Sequence, residues 1–262
     1  ELNVPQTVVS FDFYAFAMCK NLKTVNFAED NQLKGIYEGA FLGDINLENI
    51  TIPDTIVEIS DFEFYGCSKL DRIPISENGI VKGVYSYSFA YTGISGEFTT
   101  PETLIDIGDY AFMGTKITKL TVPDTNQWDL IIGIGAFEDC YNLTNITVDS
   151  NNQYYSSDEY GVLFNKDKTA LIQYPIGKTR TNYTIPESVT LIGNSAFYYC
   201  DNLTSVTIGN NVTTIGDYAF CGCDNFTSFT IGDSVKTIGI SAFLGCESLT
   251  SVTIPDSITK IC

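Results

Sequence analysis

The pair Ala-Phe recurs along this chain at a nearly constant interval, and that period limits the fold more than any other feature of the sequence. Seven copies keep both residues and two keep only the Phe, at Phe16, Phe41, Phe64, Phe89, Phe112, Phe137, Phe197, Phe220 and Phe243. Seven of the eight intervals are 23 or 25 residues, and the eighth is 60, which is one 23-residue period plus 37 inserted residues. A period of this length predicts a repeat architecture in which successive units stack.

The residues that follow each Phe predict one short strand in every unit. Apolar side chains come six, nine and eleven positions after the Phe, as at Leu203, Val206 and Ile208. The last two are separated by one residue, so they predict a strand with one buried face. A unit of this size cannot bury that face alone. We therefore expect stacked units with a continuous core and a parallel β-sheet on the concave face.

The remainder of each unit predicts a corner and a short helical turn. A corner such as Ile254-Pro-Asp-Ser257 follows the strand, because Pro interrupts a hydrogen-bonded ladder and Asp and Ser side chains bond back to their own backbone. Asp61, Asp109 and Asp217 lie three residues before their Phe. There they would serve as N-caps for the expected helical turn at Ala-Phe.

The 37 extra residues form a non-repeat insertion at about residues 149–184. Within it, Val162–Phe164 and Ala170–Tyr174 are two apolar runs around a polar turn. This pattern predicts a β-hairpin-like insertion. Because the repeats keep one phase on both sides of the insertion, we predict a single domain over residues 1–262.

At this level of detail the repeat is similar to that of the BspA-like leucine-rich-repeat proteins. The runs Ile208–Ile231 and Ala242–Ser257 carry the resemblance most clearly, and a non-repeat hairpin like Gly161–Pro175 is often found in that family. The resemblance implies a leucine-rich-repeat solenoid that is displayed on or secreted from bacterial, and sometimes protozoan, cells. It also implies adhesion or host-protein binding, as in a few members, and no catalytic residues.

The composition disfavours several classes of partner and activity. The chain has 32 Asp and Glu against 14 Lys and Arg, a net charge of −18, and no His. An acidic surface repels phosphate backbones, so we expect no nucleic-acid partner. The absence of His removes the commonest general base and zinc ligand. No apolar run approaches the roughly 18 residues of a membrane-spanning helix. With the resemblance, these features predict a secreted or cell-surface protein that is not an enzyme.

Six of the eight cysteines occupy one repeated position, three residues after the anchor Phe. Asp44 and two threonines fill that position in the other repeats, so it favours a small side chain and a free thiol. Stacked Cys200, Cys223 and Cys246 could still come within the Cα separation of a disulfide, and bridges stay an open alternative. No spacing matches a metal or catalytic motif, so we predict no metal, no cofactor and no catalytic residue.

The outward-facing residues of the strands form the first candidate binding surface. They are mostly Thr, Ser and Asn, with a charged trio of Arg72, Glu97 and Lys119, and with Asn145 beyond it. The alternative is that Thr-rich strands form a stable β surface and bind nothing, since cross-strand Thr pairs stabilise a sheet by themselves.

The insertion forms the second candidate surface, through Tyr154, Tyr155 and Tyr160. Tyrosine combines apolar area with a hydrogen-bonding tip, as binding loops often require. The alternative is that these rings pack over the break in the solenoid. The leading hypothesis is a protein-binding or adhesion module for a protein ligand such as a host or matrix protein. A glycan-binding surface and a purely structural spacer are the alternatives.

Overall fold

The computed structural model describes residues 1–76, 78–124 and 130–262. The chain divides into two compact units. The first comprises Glu1–Gly96, Pro101–Ile117 and Gln127–Glu138, and the second comprises Glu97–Thr100, Thr118–Asn126 and Asp139–Cys262. Each unit is a stack of short strands that are joined by turns. That the chain forms a single domain stays a prediction.

Twenty-two short strands occur in the described residues, and no helix, so no helix there could cross a membrane. The strands are β1 (Leu2–Val4), β2 (Ser10–Phe11), β3 (Val25–Phe27), β4 (Gly35–Ile36), β5 (Glu58–Ile59), β6 (Gly83–Val84), β7 (Ser95–Thr99), β8 (Asp106–Ile107), β9 (Lys116–Val122), β10 (Ile131–Ile132), β11 (Asn145–Val148), β12 (Tyr155–Ser157), β13 (Leu163–Asn165), β14 (Ala170–Gln173), β15 (Asn182–Thr184), β16 (Leu191–Ile192), β17 (Ser205–Thr207), β18 (Thr214–Ile215), β19 (Ser228–Thr230), β20 (Thr237–Ile238), β21 (Ser251–Thr253) and β22 (Lys260–Ile261).

Equivalent strands of successive repeats pair in parallel. One row is formed by the strands that the alternating apolar residues predicted. They pair as β1 with β3, β9 with β11, β15 with β17 and β19 with β21. A second row is formed by the next apolar pair of each repeat, in the orders β5-β6-β8-β10 and β14-β16-β18-β20-β22. In this row Ile215 pairs with Ile238, its equivalent one repeat later. The predicted parallel leucine-rich-repeat solenoid is thereby confirmed.

The anchor phenylalanines stack on one another in the core of each unit. Consecutive rings from Phe16 to Phe137 lie 5.4 to 5.8 Å apart between centroids in the first unit. In the second unit, Phe220 lies 4.9 Å from Phe197 and 5.5 Å from Phe243. Truncation of a buried Phe to Ala typically costs about 3–5 kcal/mol. The recurring Ala-Phe is therefore the main element of the core.

The segment around each Ala-Phe is a series of tight turns, and the expected short helical turns do not occur in the described residues. Its amides donate alternately to the same turn and to the next repeat. The amide of Ala17 donates to the carbonyl of Tyr14 (3.1 Å), whereas that of Phe16 donates to Ala40 of the following repeat (2.9 Å). An α-helix would direct every amide along its own axis, so it could not supply these bonds between repeats.

Backbone dihedrals explain this alternation. The positions two before and two after the anchor Phe have positive φ in all nine repeats, at both glycine and non-glycine residues. A run of equal helical dihedrals is therefore interrupted on each side of the Phe. Some of these glycines also leave room for a large side chain of the previous repeat to pack against the backbone. A Cβ on Gly114, whose φ is +69°, would lie 2.5 Å from the ring of Tyr91.

The acidic residues three positions before the Phe do not cap their own turn, so the N-cap prediction was wrong. The carboxylate of Asp61 accepts from the amide of Ser86, and that of Asp109 from Ile134, both at 2.7 Å. Each acceptor thus lies one repeat before its donor. These side chains connect neighbouring turns, because the amides they could cap already donate elsewhere.

The insertion contains the predicted hairpin and returns the chain to the solenoid. Strands β13 and β14 are antiparallel, β12 adds to β13, and β14 pairs in parallel with β16 of the next repeat. Tyr174 then occupies an anchor position, 23 residues before Phe197. Its amide donates to Ala196 (2.8 Å), and its ring stacks 5.2 Å from Phe197. Tyr174 is therefore the tenth anchor of the core.

All eight cysteines are free thiols, and six of them are buried. Three of the buried thiols, those of Cys67, Cys223 and Cys246, donate to the carbonyl of the anchor Phe of the preceding repeat at 3.0 to 3.1 Å. No group of three or more Cys, Asp or Glu side chains that could hold a metal ion occurs among the described residues. The repeated cysteine position is a packing position that also satisfies a backbone carbonyl.

Candidate functional site

The candidate binding residues of the strands fall into two separate surroundings. Arg72 belongs to the first unit, and Glu97, Lys119 and Asn145 belong to the second.

Arg72 lines a groove of about 550 Å³ in the first unit. The groove is lined by Glu48, Asn49, Ser68, Lys69, Asp71, Arg72, Gly93, Ser95 and Lys116, and we call it the first-unit groove. Three of these residues are cationic and two are acidic, in a chain where acids outnumber bases 32 to 14. The first-unit groove is therefore a local concentration of positive charge on an acidic protein.

Stacking of the repeats aligns these groups. Asn49 and Arg72 each lie eight residues after their anchor Phe, so they occupy the same position in successive repeats. Lys69 forms an ion pair with Glu48 of the preceding repeat (3.4 Å). Gly93 allows close approach, because a Cβ there would lie 2.5 Å from the carbonyl oxygen of Ser68.

Arg72 also borders a neighbouring groove of about 270 Å³, which includes Asn26, Asn49 and Thr51. Its side chain is exposed. The guanidinium is a planar donor that suits carboxylate and backbone carbonyl acceptors. Arg72 thus lines two polar grooves of the first unit.

Glu97, Lys119 and Asn145 lie close together in the second unit. Lys119 forms an ion pair with Glu97 (3.7 Å), and Asn145 pairs with Lys119 across β9 and β11. An exposed pair of this kind contributes at most about 1 kcal/mol to stability. The insertion approaches this place, since a Cβ on Gly161 would lie 2.1 Å from the amide oxygen of Asn145. Asn145 is therefore partly covered.

The tyrosines of the insertion divide into packed and accessible residues. Tyr174 and Tyr183 are buried, with exposures of 1 % and 2 %, and belong to the core. Tyr154 is 37 % exposed, whereas Tyr155 and Tyr160 are half-buried. Packing over the break thus accounts for Tyr174 and Tyr183 and in part for Tyr160, which packs against the core, whereas all three predicted binding tyrosines keep some accessible surface.

Tyr160 contributes to a second groove, of about 300 Å³, that the sequence analysis did not anticipate. We call it the insertion groove, and it is lined by Thr144, Tyr160, Gly177, Lys178, Thr179 and Arg180. Lys178 and Arg180 were missed because they match no motif. The available signal was two cations within three residues, close to a Tyr-rich stretch of an acidic chain.

Two buried carboxyl groups lie inside the first unit, away from these grooves. Asp44 is fully buried in the repeated cysteine position, and burial raises its pKa to about 7. Glu63 occupies the position of the anchor Ala, and burial raises its pKa well above the ordinary value. Both carboxyl groups act on the neighbouring buried thiol of Cys67, whose pKa is raised by burial first and then by their charges. Both are features of the core.

A family comparison covers most of the chain. The model of the BspA type leucine rich repeat region matches residues 1–112, 80–165 and 177–262, with six copies. No curated protein matches the sequence.

Solved structures with similar folds come from bacteria. A leucine rich cell surface protein from Faecalibacterium prausnitzii A2-165 is 29% identical, with a TM-score of 0.76 over 99% of this chain and 74% of its own. The pneumococcal vaccine antigen PcpA is 23% identical (TM-score 0.70), and 99% of this chain covers 57% of that protein. A leucine-rich repeat protein from Eubacterium ventriosum is 22% identical (TM-score 0.71), over 96% of this chain and 78% of its own. The last two likenesses concern the fold alone.

Proposed function

The chain belongs to the BspA type leucine rich repeat family, and from this premise we propose that it is a secreted or cell-surface module that binds a protein ligand. The observation that carries the proposal is the first-unit groove, where Lys69, Arg72 and Lys116 concentrate positive charge. The cell-surface protein from Faecalibacterium prausnitzii supports the proposed location. Families of this repeat generally act as non-catalytic scaffolds, and we propose no enzymatic activity.

The chemistry of the first-unit groove suits a polypeptide that carries charges of both signs. Lys116 and Arg72 are exposed cations, and Asp71 is an exposed acid beside them. A groove with charges of both signs favours a ligand that places the opposite charge next to each of them. It disfavours ligands that would place like charges next to one another. Asn49, Ser68 and Ser95 add uncharged polar groups. The ligand proposed is therefore an extended segment of a host or matrix protein.

The groups of the second unit play a smaller part in this proposal. Lys119 and Glu97 already satisfy one another, and Asn145 donates to Thr147 (2.8 Å) and lies beside the insertion. We propose that they form a separate and weaker contact surface within the second unit. Exposed Tyr154 and half-buried Tyr155 would supply apolar contact within that unit.

The test is binding of the purified chain to a panel of immobilised extracellular matrix and serum proteins, followed by surface plasmon resonance with variants. Arg72→Glu and Lys116→Glu should each weaken binding at least about tenfold, because charge reversal places like charges opposite one another. Lys260→Glu is the matched control: Lys116 and Lys260 both begin a strand and are both exposed.

Each outcome has a distinct meaning. Equal weakening by Lys116→Glu and Lys260→Glu would show a general charge effect and would reject the first-unit groove. Binding to glycans only, with a loss in Tyr154→Ala, would replace the protein ligand by carbohydrate. Binding to neither class would leave a structural spacer and would contradict the proposal.

A further inference from the structure

Arg180 is held in a fixed orientation at the insertion groove. Its guanidinium carbon lies 4.1 Å from the centroid of the Tyr160 ring, and its Nε donates to the carbonyl of Asn182 (2.6 Å). Contact with an aromatic face and a hydrogen bond at Nε together restrict the side chain. In the part of the chain that the structure describes, its two terminal nitrogens have no acceptor, and the residue is exposed.

The ring beneath Arg180 is itself held in place. Tyr183 contacts Tyr160 edge to face at 6.1 Å, and its hydroxyl donates to Oδ2 of Asp158 (2.7 Å). The other oxygen of Asp158 accepts from the amides of Tyr160 and Val162, both at 2.9 Å. Both carboxylate oxygens of Asp158 are therefore engaged. The arrangement fixes the Tyr160 ring, and no carboxylate of the described residues forms an ion pair with the exposed guanidinium of Arg180.

Lys178 adds a second cation to the same groove. Its Nζ donates to the carbonyl of Thr144 (2.9 Å), and two further N–H donors remain. The side chain is half-buried, and burial lowers the pKa of its ammonium. The lining of the insertion groove has two cations and no acid. It is thus suited to a single anionic group with hydroxyl-bearing surroundings.

We propose that the insertion groove binds the carboxylate of an acidic sugar residue, such as a terminal uronic acid. The planar guanidinium of Arg180 would pair with the carboxylate through two parallel hydrogen bonds. Lys178, Thr144 and Thr179 would bond the adjacent sugar hydroxyls. A volume of about 300 Å³ lies at the lower end of small-ligand sites and suits one sugar residue.

The overall charge favours a ligand with one carboxylate over a polyanionic peptide. At −18 the protein repels polyanions, whereas a sugar with one carboxylate brings a single negative charge. This site is independent of the first-unit groove, since none of its residues lines that groove. Failure of one proposal therefore leaves the other standing.

The experiment measures binding of a glucuronic-acid-terminated oligosaccharide and of its glucose-terminated counterpart by calorimetry. The acidic probe should bind, and the neutral probe at least about tenfold more weakly, because only the carboxylate forms the charge-assisted pair. Arg180→Ala should abolish this preference. Arg180→Lys, which keeps the charge but not the planar donor pair, should lose most of the affinity.

Lys260→Ala, at an exposed cation that lines neither groove, serves as the control and should leave acidic-sugar binding unchanged. Circular dichroism melting of each variant would identify any that fails to fold, and Thr179→Ala, at an exposed position, then supplies a second test with an expected severalfold loss. Equal binding of both probes, or unchanged binding in Arg180→Ala, would overturn the proposal. Binding of a Glu-containing peptide with no response to the acidic sugar would also overturn it, and would assign the groove to acidic side chains.

Discussion

Two positions of the repeat, one residue before the anchor Phe and three residues after it, hold different side chains in the first unit and near the C-terminus. Around Phe41 and Phe64, a carboxyl group occupies the cysteine position at Asp44 and another occupies the alanine position at Glu63. From Phe197 to Phe243, these positions hold only Cys and Ala. The backbone turn is the same in both regions, and positive φ recurs at equivalent residues. The fold therefore accepts a side chain that fits, whatever its capacity to ionise.

The two regions differ in how their core responds to pH. A buried thiol whose pKa is raised, as at Cys223, stays neutral at pH 7 and also donates to a backbone carbonyl. Neither oxygen of Asp44 has a hydrogen-bond partner, and one oxygen of Glu63 also lacks one, among the described residues. A raised carboxyl pKa means that the folded chain retains protons that the unfolded chain has released. Stability is then greatest below the unfolded pKa and falls as pH rises towards the folded pKa.

The strongest test of this comparison is to move the carboxyl group into the thiol region. Cys223→Asp should lower the free energy of unfolding by about 5 kcal/mol above pH 7, because it buries an unpaired carboxyl and removes the thiol hydrogen bond. Denaturant unfolding at pH 4.5 and 7.5 measures the effect, which should be smaller at the lower pH. Cys223→Thr is the control, since Thr occurs naturally at this position. An equal loss in both variants would mean that packing alone is responsible.

The converse change removes the carboxyl group from the first unit. Asp44→Thr should stabilise the chain by up to about 4 kcal/mol at pH 7.5, since the Asp44 pKa is about 7 in the folded chain against 3.8 in the unfolded one. The gain should vanish near pH 4 and increase between pH 4 and 7. Exposed Asp233 supplies the control Asp233→Thr. A gain that did not vary with pH would contradict the assignment to ionisation.

Glu63 offers a smaller effect of the same kind. Glu63→Ala restores the usual residue of this position and should raise the free energy of unfolding by about 2 kcal/mol at pH 7.5. Burial raises the pKa of this carboxyl and its Oε1 has no partner among the described residues, and these costs outweigh the loss of the hydrogen bond that Oε2 accepts from the Ser60 amide (2.9 Å). Ser88 occupies the same position in the next repeat and also has an unpaired buried hydroxyl. Ser88→Ala should therefore produce a smaller and pH-independent gain. If the two variants behaved alike in urea titrations at both pH values, charge would not be the cause.

The second unit contains a buried hydroxyl, that of Tyr174, without a hydrogen-bond partner among the described residues. Tyr174→Phe should therefore raise the free energy of unfolding by about 1 kcal/mol. Tyr183 is the control, because its hydroxyl donates to Asp158, and Tyr183→Phe should be destabilising. Thermal melting of both variants distinguishes them. If Tm shifted in the same direction in both variants, the pairing of the hydroxyl would not explain the effect.

Much of the fold could be predicted because the same contacts recur in every repeat, so the residues that make them recur at fixed spacing. The Phe period identified the stacked core, the alternation of Val206 and Ile208 identified a strand row, and the apolar runs of the insertion identified its hairpin. The helical turns were wrong, because local propensity does not include the hydrogen bonds that the Phe16 amide makes to the next repeat. Tyr174 lies one period before Phe197 but was not predicted as an anchor, because every other anchor is Phe.

The candidate sites were less predictable, for a related reason. Arg72 stands out in the sequence as one of few cations, but its groove depends on Asn49 and Lys116 from neighbouring repeats. Lys178 and Arg180 acquire a shared surface only where the insertion turns back beside Thr144. The insertion lies beside Thr144 only once in the chain, so no repeated sequence pattern predicts this contact.

The period, the parallel strands, the stacked aromatic core and the membership of a repeat family can be read from the sequence, because they depend on residues that recur at fixed spacing. The positive φ of the anchor turns, the burial of Asp44 and Glu63, and the grooves at Arg72 and Arg180 came from the three-dimensional arrangement. These features depend on contacts between repeats, and on which side chain of one repeat lies over which residue of the next. The repeat unit therefore specifies the fold, and stacking specifies the chemistry that its surface and core present.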